Sequence, residues 1–105
     1  MRMVKVAQDF TRFPSGRKKK NGNTSGEEFR EKFLEPALKE GSEITVDLDG
    51  TIGYGSSFLE EAFGGLVRAL QIKPESLKAK LHLISNDPAL IEEIESYIAD
   101  AGKRL

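Results

Sequence analysis

Apolar side chains recur at strand spacing in some segments of the sequence and at helix spacing in others. Residues 3-MVKVAQDF-10 alternate apolar and polar, the period of a half-buried strand. The following 11-TRFPSGRKKKNGNTSG-26 is rich in Gly, Ser, Asn and Lys. It reads as a turn-laden loop with room for a short second strand near Phe13 or around Arg17 to Lys20. Ser25 and Glu28 have capping-box spacing, in which the hydroxyl accepts from the Glu28 amide and the carboxylate reaches back. They predict a helix from about Gly26 with Phe29, Phe33 and Leu38 near one face. Pro36 stands too far in for the first helical turn and predicts a kink or an early end.

Residues 43-EITVDL-48 predict a strand through β-branched Ile44, Thr45 and Val46. Gly50, Gly53 and Gly55 punctuate the next loop, and Ser57 and Glu60 repeat the capping-box spacing. The helix they would open carries Phe58, Leu59, Ala62, Phe63, Leu66, Val67 and Leu70 on one wide apolar face. Gly64 and Gly65 fall mid-helix, where each costs about 1 kcal/mol relative to Ala; close approach to a sheet or to a partner is the expected compensation. Pro74 breaks the chain, and 79-AKLHLIS-85 reads as a strand. Asp87 as cap and Pro88 in the first turn open a last helix, with Leu90, Ile91, Ile94, Tyr97 and Ile98 inward and Gly102 at its end. This alternation predicts an α/β fold with right-handed crossovers: a mixed, mostly parallel sheet of about four strands with three helices. Neither an internal repeat nor a low-complexity tract is present.

Composition narrows the function classes. A chain of 105 residues predicts one domain, able to bury roughly two thirds of its unfolded surface. With 38% hydrophobic and 31% charged residues it has an ordinary globular balance. A net charge of −1 gives no bulk attraction for nucleic acid or an anionic membrane. Without cysteine there is no disulfide framework and no thiolate metal site, and the single histidine, His82, forms no zinc cluster without carboxylates. No metal and no cofactor are expected. His82, between Leu81 and Leu83, reads as a structural residue. No apolar run approaches roughly 20 residues and no signal-peptide core opens the chain, so a cytoplasmic protein is expected. Arg17, Lys18, Lys19 and Lys20 form the dense basic run; it reads as a solvated loop, with no interleaved aromatics for stacked single strands.

The chemistry concentrates in 44-ITVDLDGTIGYGSSFLEE-61. Its first half, DLDGT after an apolar strand, resembles the first motif of haloacid-dehalogenase-like phosphatases. That resemblance implies Asp47 as nucleophile and Asp49 as general acid and base. The segment 83-LISND-87 resembles that family's second motif. Phosphoryl transfer also needs positioned cations, and residues 88–105 read as one helix with Glu92, Glu93 and Glu95 on its surface rather than at a strand end. A truncated phosphatase is therefore the alternative, and no enzyme is the expectation; turn capping and solvation account for both aspartates.

The second half places Gly55, Ser56, Ser57 and Phe58 between a strand and an amphipathic helix. A hydroxyl here sits where outward amides favour negative charge, and a phosphate would add about −1.5 to −2 charges at any interface built over this end. As a cap alone, Ser57 would contribute about 1 kcal/mol of helix stability, which is compatible with being a substrate. The element order resembles STAS domains, the fold of anti-sigma-factor antagonists and of sulfate-transporter tails. The segments FPSGR, SGEEFRE, VDLDG and GYGSSFLEEAFGGLVR are similar to a STAS-like family of bacterial proteins with no assigned activity, over nearly the whole chain. The resemblance to antagonist domains implies a kinase of the histidine-kinase-like ATPase fold, acting on the second serine of an Asp-Ser-Ser-Gly pattern. That serine maps onto Ser57, with Ser56 as its neighbour; Gly55 stands where the pattern has Asp, and Phe58 where it has Gly. The expected function is a regulatory, signalling protein–protein interaction module spanning residues 1–105. Ser57, then Ser56, are the phosphoacceptor candidates. The partner, a histidine-kinase-like ATPase, would touch Gly53, Tyr54, Gly55, Ser56, Ser57, Phe58 and Glu61, and the Gly64–Gly65 face offers a homodimer contact.

Overall fold

Three short parallel strands make the sheet: β1 (Arg2–Lys5), β2 (Ile44–Asp47) and β3 (Leu81–Ile84), in that spatial order. The computed structural model describes residues 2–105. In its register Arg2 stands opposite Ile44 and Ile44 opposite Leu81; Val4 stands opposite Val46 and Val46 opposite Leu83. Because side chains alternate across a strand, Val4, Ile44, Val46 and Leu81 share one face, and all four are buried. The helices cover that face. The other face carries Met3 and Ile84, both exposed, beside Thr45 and His82.

The first strand ends earlier than its sequence alternation predicts. From Val6 to Phe10 the backbone makes a π-helical turn, closed by the Thr11 amide donating to the Val6 carbonyl at 2.8 Å. Asp9 Oδ2 accepts from the Lys5 amide at 2.7 Å. The turn brings Phe10 under the first helix, with its ring 5.3 Å from Phe29 and 5.8 Å from Phe33. The tertiary gain of that aromatic cluster outweighs local strand preference. No strand forms near Phe13 or Arg17 to Lys20 among the described residues; a 3-10 turn at Lys19–Asn21 stands there, and the expected fourth strand is absent.

Helix α1 (residues 26–39) runs as Gly26–Phe29, a π-helical turn Arg30–Leu34, and Glu35–Lys39. Ser25 Oγ accepts from the Glu28 amide at 3.1 Å, as the capping-box spacing predicts. Pro36 does not end the helix. The widened turn before it, with the Glu35 amide donating to the Arg30 carbonyl, gives the ring room that an α turn would deny it.

Helix α2 (residues 56–70) is likewise Ser56–Leu59, a π-helical turn Glu60–Gly64, and Gly65–Leu70, stopped by Gln71 at φ 52°. Helix α3 (Pro74–Lys80) passes directly into β3, so Ala79 and Lys80, expected in the strand, belong to a helix that Pro74 opens. Helix α4 (Pro88–Gly102) is capped by Asp87, whose Oδ1 accepts from the Ala89 amide at 3.0 Å. Among the described residues there are thus four such helices, α1 to α4, rather than three.

Phe58, Leu59, Ala62, Phe63, Leu66 and Val67 of α2 are all buried, each larger side chain worth about 1.5–3 kcal/mol of transfer free energy. At the α1–α2 crossing a methyl group on Gly26 would overlap the Phe58 carbonyl oxygen and lie 3.0 Å from the Ala62 nitrogen. No helix among the described residues is long and apolar enough to cross a membrane.

Candidate functional site at the turn from β2 to α2

The turn leaving β2 is built by its own aspartates. Asp47 Oδ1 accepts from the Asp49 amide at 3.0 Å, and Asp49 Oδ1 accepts from the Asn86 amide at 2.9 Å, tying the turn to the loop before α4. The two carboxylates of the phosphatase-like motif are thereby engaged in shaping the backbone. Among the described residues no three carboxylate or imidazole groups converge as a metal site requires. Further along, Gly53 adopts φ 143°, a conformation that side chains resist. The Ile52 amide donates to the Arg12 carbonyl at 3.0 Å and the Gly55 amide to the Pro14 carbonyl at 3.5 Å. These bonds lay residues 12–14 alongside residues 52–55.

Tyr54 is half-buried beneath this double strand of loop. Its hydroxyl donates to the Leu48 carbonyl at 2.7 Å, and its ring lies 6.0 Å from Phe58. Burial pushes that hydroxyl up to about 12.

Helix α2 opens at Ser56 with Gly55 as its cap, so Ser57 sits within the first turn. The capping box expected at Ser57 and Glu60 does not form. Gly55 takes the extended cap conformation at φ −72° and ψ 141°, and the Glu60 carboxylate is bound by two arginines instead. Ser56 and Ser57 are both exposed, and among the described residues neither hydroxyl has a hydrogen-bond partner. Gly53 and Gly55 are exposed beside them. Phe58 and Glu61 are not available to a partner: Phe58 is fully buried and Glu61 is 5% exposed. Spacing of three residues puts both on the inward side of α2.

Two residues join the site that the sequence reading passed over. Phe13 is 58% exposed and Ile52 is 70% exposed, on the two segments joined by the backbone bonds above. Each is a large apolar residue inside a polar, non-periodic stretch, which is the signal that would have found them.

Behind the turn lies a network of charges. Arg17 Nη1 is 2.5 Å from Glu60 Oε1 and 3.6 Å from Glu61 Oε1, and Lys18 Nζ is 3.6 Å from Glu61 Oε2. Lys19 pairs with Glu31, and its amide donates to Glu27 Oε1 at 2.9 Å. Arg17, Lys18 and Lys19 therefore pair with the acidic sides of α1 and α2, while their side chains stay 41%, 46% and 50% exposed, so the loop is solvated as expected and ion-paired as well. Arg68 forks onto Glu60, Nη1 to Oε2 at 2.6 Å and Nη2 to Oε1 at 3.1 Å. The Arg68 hydrogen bond, and then that from Arg17, hold the Glu60 carboxyl below its ordinary value.

Deeper still, Arg30 Nη1 donates to Glu61 Oε2 at 2.5 Å and to the Glu61 carbonyl at 2.8 Å, while its Nε donates to Glu35 Oε2 at 2.8 Å. This explains the paired glycines. A methyl group on Gly65 would overlap the Arg30 guanidinium, and one on Gly64 would lie 2.6 Å from Glu60 Oε2. The space beside the two glycines is filled from within by ion-paired side chains, and both glycines are buried. On the far side of the sheet His82 Nε2 pairs with Glu43 Oε1 at 2.7 Å.

No curated protein and no solved structure matches the chain. Residues 25–90 match the STAS-like domain of unknown function (DUF4325), a span running from the cap of α1 through the serine turn and α2 to the start of α4. That match covers more than half of the sequence, and the chain belongs to this STAS-like family.

Proposed function

We propose that this domain is a regulatory protein–protein interaction module that docks through the turn from β2 to α2. Gly53, Tyr54, Gly55, Ser56 and Ser57 form the contact surface, extended by Phe13 and Ile52. One observation carries the reading: two exposed serines without hydrogen-bond partners stand beside two exposed large apolar side chains, on segments tied by backbone hydrogen bonds. A surface of this kind couples apolar burial to a chemically addressable hydroxyl, which suits an interface that must form and release.

Ser57 is the phosphoacceptor in this proposal, with Ser56 second, and the partner is a histidine-kinase-like ATPase, the class the family resemblance suggests. A phosphate would bring about −1.5 to −2 charges into the middle of an apolar contact, where desolvation turns it against association. Phe58 and Glu61 act from beneath, as core and as a buried ion.

Affinity capture from the native host isolates the partner, which is then titrated with wild type, Ser57→Ala and Ser57→Asp. Binding by Ser57→Ala is expected to match wild type, while Ser57→Asp binds at least about tenfold more weakly. Equal affinity for all three proteins would remove the switch from the proposal.

A further inference from the structure

We propose that Arg17 is the residue that reads a phosphate on Ser57, leaving the Glu60 carboxylate for the phosphoryl oxygens and drawing with it the segment that bears Phe13. This rests on the reading of Ser57 as a phosphoacceptor and adds the group inside the domain that responds.

Helix geometry selects both partners. Residues three and four apart on a helix have Cβ atoms about 5–6 Å apart. Ser57 is three residues before Glu60 and four before Glu61, and Arg17 Nη1 contacts both of those carboxylates, at 2.5 and 3.6 Å. Ser57 is thus the exposed residue of the preceding turn that adjoins both carboxylates holding Arg17. Ser56 adjoins Glu60 alone at that spacing, and Phe58, which adjoins Glu61, is buried.

The exchange leaves no buried charge behind. Glu60 retains both contacts from Arg68, and Glu61 retains Arg30 and Lys18. Arg17 has room to move, with its side chain 41% exposed, as Lys18 at 46% and Arg68 at 42% also have. Its guanidinium fork suits phosphate oxygens, which carry more charge than the carboxylate they displace. Motion is passed on because Phe13 lies just upstream of Arg17, on a segment joined to the serine turn by the long Gly55–Pro14 bond of 3.5 Å. In the modification itself, Ser57 Oγ bonds to the γ-phosphorus of ATP as the bond to the bridging oxygen breaks. ADP departs, and the hydroxyl proton passes to a base of the kinase.

The test requires neither kinase nor partner, so its outcome is separate from that of the docking proposal. Phosphoserine is installed at position 57 of the full chain during translation, and the phosphorus resonance is titrated in wild type, Arg17→Gln and Arg17→Lys. Glu60, Glu61, Lys18, Arg30 and Arg68, the other charged members of the network, are common to all three proteins. The second ionisation of the phosphate is expected at least about half a pH unit lower in wild type than in Arg17→Gln, with Arg17→Lys between them. The same phosphate placed at position 56 is expected to respond less to Arg17→Gln. Amide resonances from Phe13 to Arg17 should move on phosphorylation of wild type, a readout that needs no variant to fold. Equal ionisation in wild type and Arg17→Gln, or unmoved Phe13 to Arg17 amides, would overturn the assignment.

Discussion

Arg30 and Glu61 meet across the seam between α1 and α2 at 2.5 Å, the arginine 6% and the glutamate 5% exposed. Two charges so fully removed from water need close partners; each is the other's nearest, with Glu35 also on Arg30 and Lys18 also on Glu61. Burial works against the Arg30 charge, yet hydrogen bonds to Glu61 and Glu35 raise its pKa overall. Arg30→Ala should therefore destabilise the domain by about 3–5 kcal/mol, read from the urea midpoint, because Glu61 is left charged and buried. The joint replacement Arg30→Met with Glu61→Leu should recover most of that loss, since it removes both charges and keeps the volume.

The crossing at Gly26 admits no side chain. Gly26→Ala forces a methyl group against the Phe58 carbonyl and the Ala62 nitrogen, and helix backbone cannot yield as a flexible side chain does. A loss of about 1–3 kcal/mol is expected in thermal unfolding. Gly64→Ala should cost less, because the atom it meets is the carboxylate end of Glu60.

Acid should weaken the fold through Glu60. Its folded pKa lies below the ordinary 4.5, chiefly through Arg68, so the charged form is favoured by folding. The resulting stabilisation is complete above the unfolded value and is lost as pH falls through the folded one. The unfolding midpoint of wild type should drop below about pH 4.5, and Glu60→Gln, already less stable at neutral pH, should show a shallower drop.

Alkali acts through the tyrosines. Burial raises Tyr54 to about 12, and the hydrogen bond to Glu93 does the same for Tyr97. Each neutral phenol stabilises the fold below pH 10, its ordinary value, and that contribution fades as pH climbs toward 12. Tyrosinate absorbance in native protein should therefore lag free tyrosine and rise together with alkaline unfolding. Tyr54→Phe leaves the Leu48 carbonyl without its donor and should cost about 1 kcal/mol.

Phe13→Ser and Ile52→Ser should change stability by no more than about 0.5 kcal/mol each, because both side chains project into solvent. The double variant should nonetheless lose capture of the native partner. Full capture by a folded double variant would move the docking surface elsewhere.

Much of the architecture was readable in advance where one short segment carries its own instruction. Ser25 caps α1, Asp87 with Pro88 opens α4, and the β-branched run at Ile44 becomes β2. The serine turn was legible for the same reason, since glycines and a following apolar helix locate it. Helix α3 was missed although Pro74 opens it, because its few residues carry no long apolar period. The alternation through residue 10 pointed to a longer strand, but Phe10 is claimed by Phe29 and Phe33, partners remote in the chain.

The contrast between Ser25 and Ser57 shows where local reading stops. Both precede a glutamate at the same spacing, and their segments are alike in caps, charges and apolar period. Amino-acid order alone settles such features, because a cap or a helical face depends on atoms within a turn of one another. Only folding brings Arg17 onto Glu60, Arg30 onto Glu61, and residues 12–14 alongside residues 52–55. The Glu60 carboxylate can satisfy a local amide or distant guanidinium groups, and in the assembled domain the charge-assisted bonds prevail, leaving the Ser57 hydroxyl exposed and without a partner.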